Sequence, residues 1–478
     1  MVHCSRKSKI SATVYAICCD SKEETSMTDA LETLKASIKA LAEVKKYATL
    51  RDILCTMNAA DIASLFEDMN DQVVPLLYRL LPKELAADTF VEMEPDTQEM
   101  LIRGFSDNEL KEVVDELYVD DAADLVEEMP ANVVKRILMT ADPEKRKMIN
   151  NILKYPEDSA GSIMTTEFVE LRPHMTVEDA ILHIRRSGIN KETINNCYVT
   201  SKDRRLIGVV TIRDLIMNES DEVLDQLMED NIISVETITD QEEVAQMFSK
   251  YGFLAMPVVD TEARLVGIVT IDDVLDVLEE EATEDIEKMA AIVPADKPYL
   301  RQTTFDLWKS RIPWLLLLMI SATFTGMIIT SFENALAKFV ILTAYIPMLM
   351  DTGGNSGGQS SATVIRAISL GDVEFKDILR VIWKEMRVAL LCGATLAVCN
   401  FIKLLLFDRL TVPVALVICL TLVVTIFCAK VIGCTLPLIA HRIGFDPAVM
   451  ASPFITTIVD AISLLVYFQF ATHILGIG

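Results

Sequence analysis

Histidine is scarce in this chain, five among 478 residues, and none of the ten cysteines stands in a Cys-x-x-Cys pair or another metal-ligand spacing. That absence argues against zinc-binding and thiol-redox classes. Cys392, Cys399, Cys419, Cys428 and Cys434 lie in apolar stretches, where cysteine behaves as a small hydrophobe, so they read as reduced and structural. Basic residues are also few, 44 Lys and Arg against 70 Asp and Glu, for a net charge of −26. A binder of phosphate backbones needs a basic face, so nucleic acid is not the partner; cations are. No nucleophile–base pair and no His-Glu-x-x-His arrangement is present, which argues against an enzyme. A secretory signal is missing too: Met1 to Ser26 carries basic residues without an apolar core and ends in SKEETS. Residues 1–26 read as a disordered extension, with Met27 as an alternative start.

Charge and hydropathy divide the rest. Upstream of about Tyr299 Asp and Glu are dense, whereas downstream of Ile312 long apolar runs alternate with short polar loops, so a strongly acidic chain still has a mean hydropathy of +0.33. The combination means an acidic soluble part joined to a membrane part. The segments MNAADIASLFEDM, LPKELAADTFVEM and FSDNELKEVVDEL begin at Met57, Leu81 and Phe105, spaced by 24 residues. NDQVVPLLYRLL and EPDTQEMLIRGF lie between them as further short amphipathic helices, so each period predicts a helix pair and the whole an α-solenoid over 27–154. Within it DDAADLVEEM sets Asp120 and Asp124 one helical turn apart, which fits a solvated face as well as a cation-binding one.

A second repeat follows over 155–278. RLIGVVTIRDLI, from Arg205 to Ile216, returns as RLVGIVTIDDVL, from Arg264 to Leu275. Each copy is preceded by a capping-box helix start, Thr176 to Asp179 and Thr239 to Glu242, and by an apolar strand, CYVT and AMPVV. Strand, helix, strand, strand, helix in duplicate is similar to a tandem CBS pair, an α/β fold. The second copy runs into an acidic helix carrying Asp272, Asp273, Asp276, Glu279, Glu280, Glu281, Glu284, Asp285 and Glu287 with no basic residue before Lys288. Like charges at helical spacing destabilise a helix unless cations or basic partners neutralise them. Residues 279–308 are expected to form a connecting helix leading to the membrane.

Residues 309–478 read as an all-α membrane domain with five spans: about Ile312–Thr330, Lys338–Ile365, Val388–Phe407, Val412–Ile439 and Ser452–Ile474. Lys309 and Arg311 precede the first, Arg366, Lys376, Arg380, Lys384 and Arg387 separate the second from the third, and Arg442 follows the fourth. The positive-inside rule then puts the acidic half in the cytoplasm and the C-terminus outside. Lys338, Lys403 and Arg409 on the outer side are fewer and can snorkel.

PFITTIVDAISLLVYFQF places Asp460 inside the fifth apolar run with no basic residue nearby in sequence. A bare carboxylate there costs several kcal/mol, so it faces water, a cation or a hydrogen-bonding helix in its protonated form. Asp446, fourteen residues earlier, falls on nearly the same face of a continuous helix, about 21 Å away. Asp446-Pro447 also reads as an N-cap followed by a first helical residue. In the second span DTGGNSGGQSS, from Asp351 to Ser361, brings glycines, among them Gly354, to membrane depth with Asn355, Gln359 and free carbonyls as hard oxygen donors. The glycines serve either pore lining or close helix packing. One intramembrane Asp among polar oxygens suits Mg²⁺, which keeps several of its waters; calcium wants more protein ligands and transition metals want His or Cys.

Taken in order, the acidic helical domain, two CBS-like modules, EEEATEDI, GGNSGGQ and PFITTIVD resemble the MgtE family of magnesium channels from about Leu31 to the end. The resemblance implies a homodimer in the inner membrane with its pore on the two-fold axis. It implies that Asp460 holds hydrated Mg²⁺ through its waters with the carbonyl of Thr456 beside it, and that Asp446 lies near the cytoplasmic mouth. Asp273, Asp276, Glu281, Glu284 and Asp285 match positions that bind regulatory Mg²⁺, and Asp120 and Asp124 resemble the helical domain's share. Arg213 and Asp214 resemble the nucleotide-contacting end of a CBS module, where a guanidinium takes phosphate and a carboxylate takes ribose hydroxyls; Asp272 replaces the Arg in the second copy, so ATP is expected at the first. Scarce cytoplasmic Mg²⁺ would let the acidic surfaces repel and open the pore, and plentiful Mg²⁺ would bridge them and close it. The rivals are a cation-coupled divalent-metal secondary transporter and a membrane-tethered CBS nucleotide sensor.

Overall fold

The computed structural model describes residues 34–476 except 35, 43, 189–190, 296–298, 300–301 and 451. The extension expected over 1–26 lies outside the described residues. Contacts divide the chain between Val274 and Leu275 into two compact units.

The first unit begins with short helices: α1 (Tyr47–Leu54), α2 (Ala59–Glu67), α3 (Val74–Tyr78), α4 (Lys83–Val91), α5 (Pro95–Gly104), α6 (Asp107–Glu116), α7 (Val119–Glu128), α8 (Ala131–Thr140) and α9 (Pro143–Ile152). Helices α2, α4 and α6 start 24 residues apart and pack in succession, α2 on α4 and α4 on α6. Their inward faces supply one core through Ile62, Phe66, Phe90, Leu110 and Val114. The starts have local causes: Ser106 and Glu109 form a capping box on α6, and Pro95 and Pro143 open helices where a missing N–H costs nothing.

The modules that follow are each a three-stranded sheet with helices. β1 (Val169–Leu171), α10 (Val177–Ser187), β2 (Asn196–Thr200), β3 (Leu206–Thr211) and α11 (Ile212–Met217) are followed by α12 (Leu224–Leu227); β4 (Val235–Glu236), α13 (Gln241–Tyr251), β5 (Ala255–Val259) and β6 (Leu265–Thr270) lead into α14 (Ile271–Met289). In both sheets the first pairing is parallel and the second antiparallel, and both carry an irregularity at the same repeat position, Val199/Thr200 and Val258/Val259. The duplication read in the sequence therefore extends to a register shift. The modules join where Leu206 N–H donates to Ala263 O (3.1 Å) and Leu265 N–H to Arg204 O (2.9 Å), over a shared core of Phe168, Tyr198, Leu265 and Ile268. Thr176 and Asp179 form the expected capping box, but α13 is capped by Asp240, whose carboxylate accepts from Glu242 N–H; Thr239 instead accepts from Glu236 N–H.

In the second unit α14 ends at Met289, short of the expected connecting helix, and α15 (Thr304–Ser331) starts afresh on a Thr303–Asp306 capping box. After α16 (Glu333–Lys338) come α17 (Ile346–Ser369), α18 (Ile378–Leu406), α19 (Val412–Arg442) and α20 (Ser452–Leu475). Helix α17 packs against both α19 and α20, α18 lies on α19 and α15 on α20. Among the described residues, four helices are long and apolar enough to cross a membrane, Thr304–Ser331, Phe375–Leu406, Val412–Arg442 and Pro453–Leu475. The remaining expected span, the second, corresponds to α17, which has 24 residues but too many Gly, Ser, Asn and Gln to qualify by composition. It begins at Ile346 rather than Lys338, because Val340–Tyr345 forms a 3-10 turn and a proline occupies the first helical turn. Nor is GGNSGGQSS irregular: it is continuous α-helix, so its carbonyls are engaged within the helix and not free.

A buried charge pair fastens this bundle. Lys430 Nζ on α19 donates to Ser360 Oγ on α17 (3.1 Å) and lies 3.5 Å from Glu385 Oε2 on α18, while Ser360 Oγ donates to the same carboxylate (2.7 Å). The two side chains are 6% and 15% exposed. Removing one partner of such a pair leaves an uncompensated charge, worth about 3–5 kcal/mol, while replacing both by apolar groups costs far less. Lys430→Met is expected to lower the thermal unfolding midpoint of the detergent-solubilised chain, and Lys430→Met/Glu385→Met to recover most of the loss.

Candidate functional site

In the membrane unit the glycines of α17 set how closely two helices meet. A Cβ on Gly354 would stand 2.8 Å from Thr456 Cγ2, one on Gly353 2.8 Å from Val459 Cγ1, and one on Gly357 2.5 Å from Ile455 Cγ2. Of the two roles left open for these glycines, Gly353, Gly354 and Gly357 take close packing. On α19, a Cβ at Gly433 would fall 2.3 Å from Gly357 O. Opposite this buried seam, Asn355 and Gln359 are exposed. Asp460 is half-buried on α20 and has no hydrogen bond or ion pair among the described residues, and Asp351 is the acid whose charge bears on it. The Thr456 hydroxyl donates to Pro453 O (2.9 Å), and its carbonyl lies one helical turn before Asp460.

Asp446 does not share a helix with Asp460. It precedes a 3-10 turn, Ala448–Met450, and its Oδ1 accepts from Ala448 N–H (2.7 Å); Pro447 stands outside that turn rather than as a first helical residue, and the 21 Å single-helix spacing does not apply. Its Oδ2 is 2.6 Å from Lys288 Nζ, which also pairs with Glu284. Asp285 accepts from Ser369 Oγ (3.3 Å), and burial together with the Asp446 charge raises its pKa. Within the second unit the end of α14 thus meets α17 and the Asp446 loop through Asp285 and Lys288. Asp276 and Glu281 lie on the same helix.

In the first unit, Asp120 and Asp124 on α7 face Asp273 at the start of α14, and two acids that the sequence pattern did not single out, Asp121 and Glu192, join them electrostatically. Asp120 is 6% exposed and its Oδ1 has no hydrogen-bond partner; Glu192 Oε2 is likewise buried and unpartnered. Burial, then the Asp273 charge, raises Asp120 well above the carboxylate range and carries Asp124 to about 8. Burial, then Asp121 and Asp273, carries Glu192 to about 8; Asp273 reaches about 7 through burial, opposed by the Thr270 hydroxyl, which donates to it at 2.5 Å. Lys145 is near enough to interact with Asp120 and Asp121, but its ammonium is turned to the carbonyls of Asp115 and Leu117. Among the described residues no three His, Cys, Asp or Glu converge into a direct ligand set. Buried, unpartnered carboxylate oxygens still fit a hydrated divalent ion.

Asp214 occupies the repeat position of Asp273. It closes a capping box, accepting from Thr211 N–H (3.1 Å) and Thr211 Oγ (2.5 Å), and Arg213 beside it is exposed. Equivalent residues thus sit in different surroundings, one at an open module edge and one against helix α7. Glu192 lies in the loop between α10 and β2, where no periodicity marks it.

The family profile described as the MgtE intracellular N domain matches residues 57–158, the CBS domain profile matches 160–221 and 224–280, and the profile of MgtE, a divalent cation transporter, matches 346–470. A protein named magnesium transporter MgtE from Thermus thermophilus is 36% identical over 93% of this chain and 99% of its own length. One of the same name from Bacillus subtilis is 34% identical over 89% of this chain and 94% of its own. A crystal structure of the soluble part of a magnesium transporter is 30% identical, covers 53% of this chain and 99% of that one, and has a TM-score of 0.50.

The raised carboxylates fix a pH dependence. Their folded pKa values exceed the unfolded ones near 4, so between about pH 4 and 8 the folded state holds more protons and its stability falls as pH rises. With divalent ions chelated, the thermal midpoint is expected to drop steadily from pH 5 to pH 8, and Asp124→Asn to flatten that slope.

Proposed function

The chain belongs to the MgtE family of magnesium transporters, and from that premise we propose that it is a Mg²⁺ channel for uptake into the cytoplasm, shut by Mg²⁺ binding to its own acidic sensor. The transporter relatives matched over most of the chain are named as magnesium transporters, not enzymes. The carrying observation is Asp460, half-buried on an apolar helix without an ion-pair partner among the described residues. A carboxylate so placed costs several kcal/mol unless water or a cation attends it. A hydrated Mg²⁺ supplies both, its waters donating to the carboxylate and to the carbonyl of Thr456, with Asn355 and Gln359 as oxygen donors along α17 and Gly354 letting the helices close on the site. Asp446 serves the cytoplasmic mouth. A homodimer would put Asp460 of each copy across the two-fold axis, and Co²⁺ and other divalents that keep their water shells would pass too.

The topology proposed is five spans in an inner (plasma) membrane, counting α17, with the N-terminal domains cytoplasmic and the C-terminus outside, in contact with lipid. The soluble part comprises a helical solenoid over 27–154, the CBS pair over 155–278 and a connecting segment over 279–308, followed by the pore domain over 309–478. Regulatory Mg²⁺ engages Asp120, Asp124, Asp273, Asp276, Glu281, Glu284 and Asp285, neutralising charges that otherwise repel. ATP would occupy the first module, with Arg213 on phosphate and Asp214 on ribose.

Rescue of a magnesium-auxotrophic cell tests the pore. The intact chain is expected to support growth and Mg²⁺ entry, and Asp460→Ala to reduce both to background at equal membrane abundance. Entry that follows an imposed proton or sodium gradient would favour the secondary transporter, and no entry at all the nucleotide sensor. Neutralising Glu281, Glu284 and Asp285 together is expected to leave flux running at high internal Mg²⁺; unaltered inhibition would remove the gating half of the proposal.

A further inference from the structure

Asp351 is an acid that the motif reading passed over as the first residue of a glycine-rich run. It is exposed on α17 and has no hydrogen bond or ion pair among the described residues. Asp351, Asn355 and Gln359 are four residues apart, so they form one stripe along the helix, all exposed, opposite the buried seam of Gly353, Gly357 and Ser360.

The glycine contacts fix the register of α17 against α20. Gly357 meets Ile455, Gly354 meets Thr456, and Gly353 meets Val459 and Ser463. Moving toward the N-terminus of α17 therefore moves toward the C-terminus of α20, so the helices run antiparallel and Asp351 falls at the level of Asp460. The electrostatics agree, since Asp351 is the charged group that acts on Asp460.

We propose that Asp351 is a second ion-attracting residue of the permeation path, standing with Asp460 at one level and setting the affinity for a hydrated divalent cation. This rests on the pore reading of Asp460. Asp351 has no hydrogen-bond or ion-pair partner among the described residues to occupy it, so its charge is available to the passing ion, which it would meet through the ion's water shell. A second negative charge at the same level deepens the attraction for a divalent ion and so lowers the concentration at which the path half-saturates.

The test uses the purified full chain in liposomes, reading Mg²⁺ entry against concentration and its block by cobalt(III) hexaammine, an inert complex cation that can bind only through an outer shell. Asp351→Asn is expected to raise both the half-saturating Mg²⁺ and the half-blocking complex by about tenfold, while Asp351→Glu stays within about twofold of the parent chain. Parent-like values for Asp351→Asn in both measurements would overturn the proposal, and so would loss of all flux in Asp351→Glu as well as Asp351→Asn, which marks a structural role. Absence of flux in the parent chain would instead overturn the pore reading itself, which separates the two failures.

Discussion

A carboxylate in the interior of a membrane protein and a hydrated divalent cation crossing that interior have the same difficulty: each loses the bulk water that stabilises its charge. Under the proposed function Asp460 and Mg²⁺ would resolve it for one another, the ion's own water shell donating to the carboxylate and the carboxylate offsetting the ion's desolvation. The seam of glycines on α17 lets that helix approach α19 and α20 to within backbone contact, and the buried Lys430–Glu385–Ser360 network ties α17 to α18 and α19. With that face occupied by packing, the polar stripe of α17 is left on the open side.

The acidic group of the first unit works by the same electrostatics with the sign of the problem reversed. Asp120, Asp121, Asp124, Glu192 and Asp273 are buried together without enough positive charge to balance them, so the pKa of each is raised, that of Asp124 and Glu192 to about 8, and the folded state loses stability as their protons leave. Among the described residues no three of them converge into a direct ligand set. Within the second unit, at the end of α14, Lys288 reaches Asp446 while Asp285 meets Ser369.

The sequence was readable where periodicity carried the signal. The 24-residue period marks the starts of α2, α4 and α6, and the Arg205 and Arg264 repeats mark β3 and β6, down to matching irregularities in their partner strands. Asp460 stands out because an acid in an apolar run needs water, a cation or a hydrogen-bonding helix to offset its burial. What escaped depended on three-dimensional convergence: Glu192 lies in a loop, Asp121 sits between two acids already noted, and the partners of Lys430 come from other helices. GGNSGGQSS misled in the opposite way. Glycine-rich composition suggests broken backbone, but packing against α19 and α20 keeps the segment helical where intrinsic propensity would not.

The central claim is that the carboxylate of Asp460 conducts a water-clad magnesium ion through an open path. Current through the purified chain in a planar bilayer under a Mg²⁺ gradient tests it most directly. The account predicts unitary currents that reverse at the Mg²⁺ equilibrium potential and vanish in Asp460→Asn. Currents of unchanged size in that variant would contradict it.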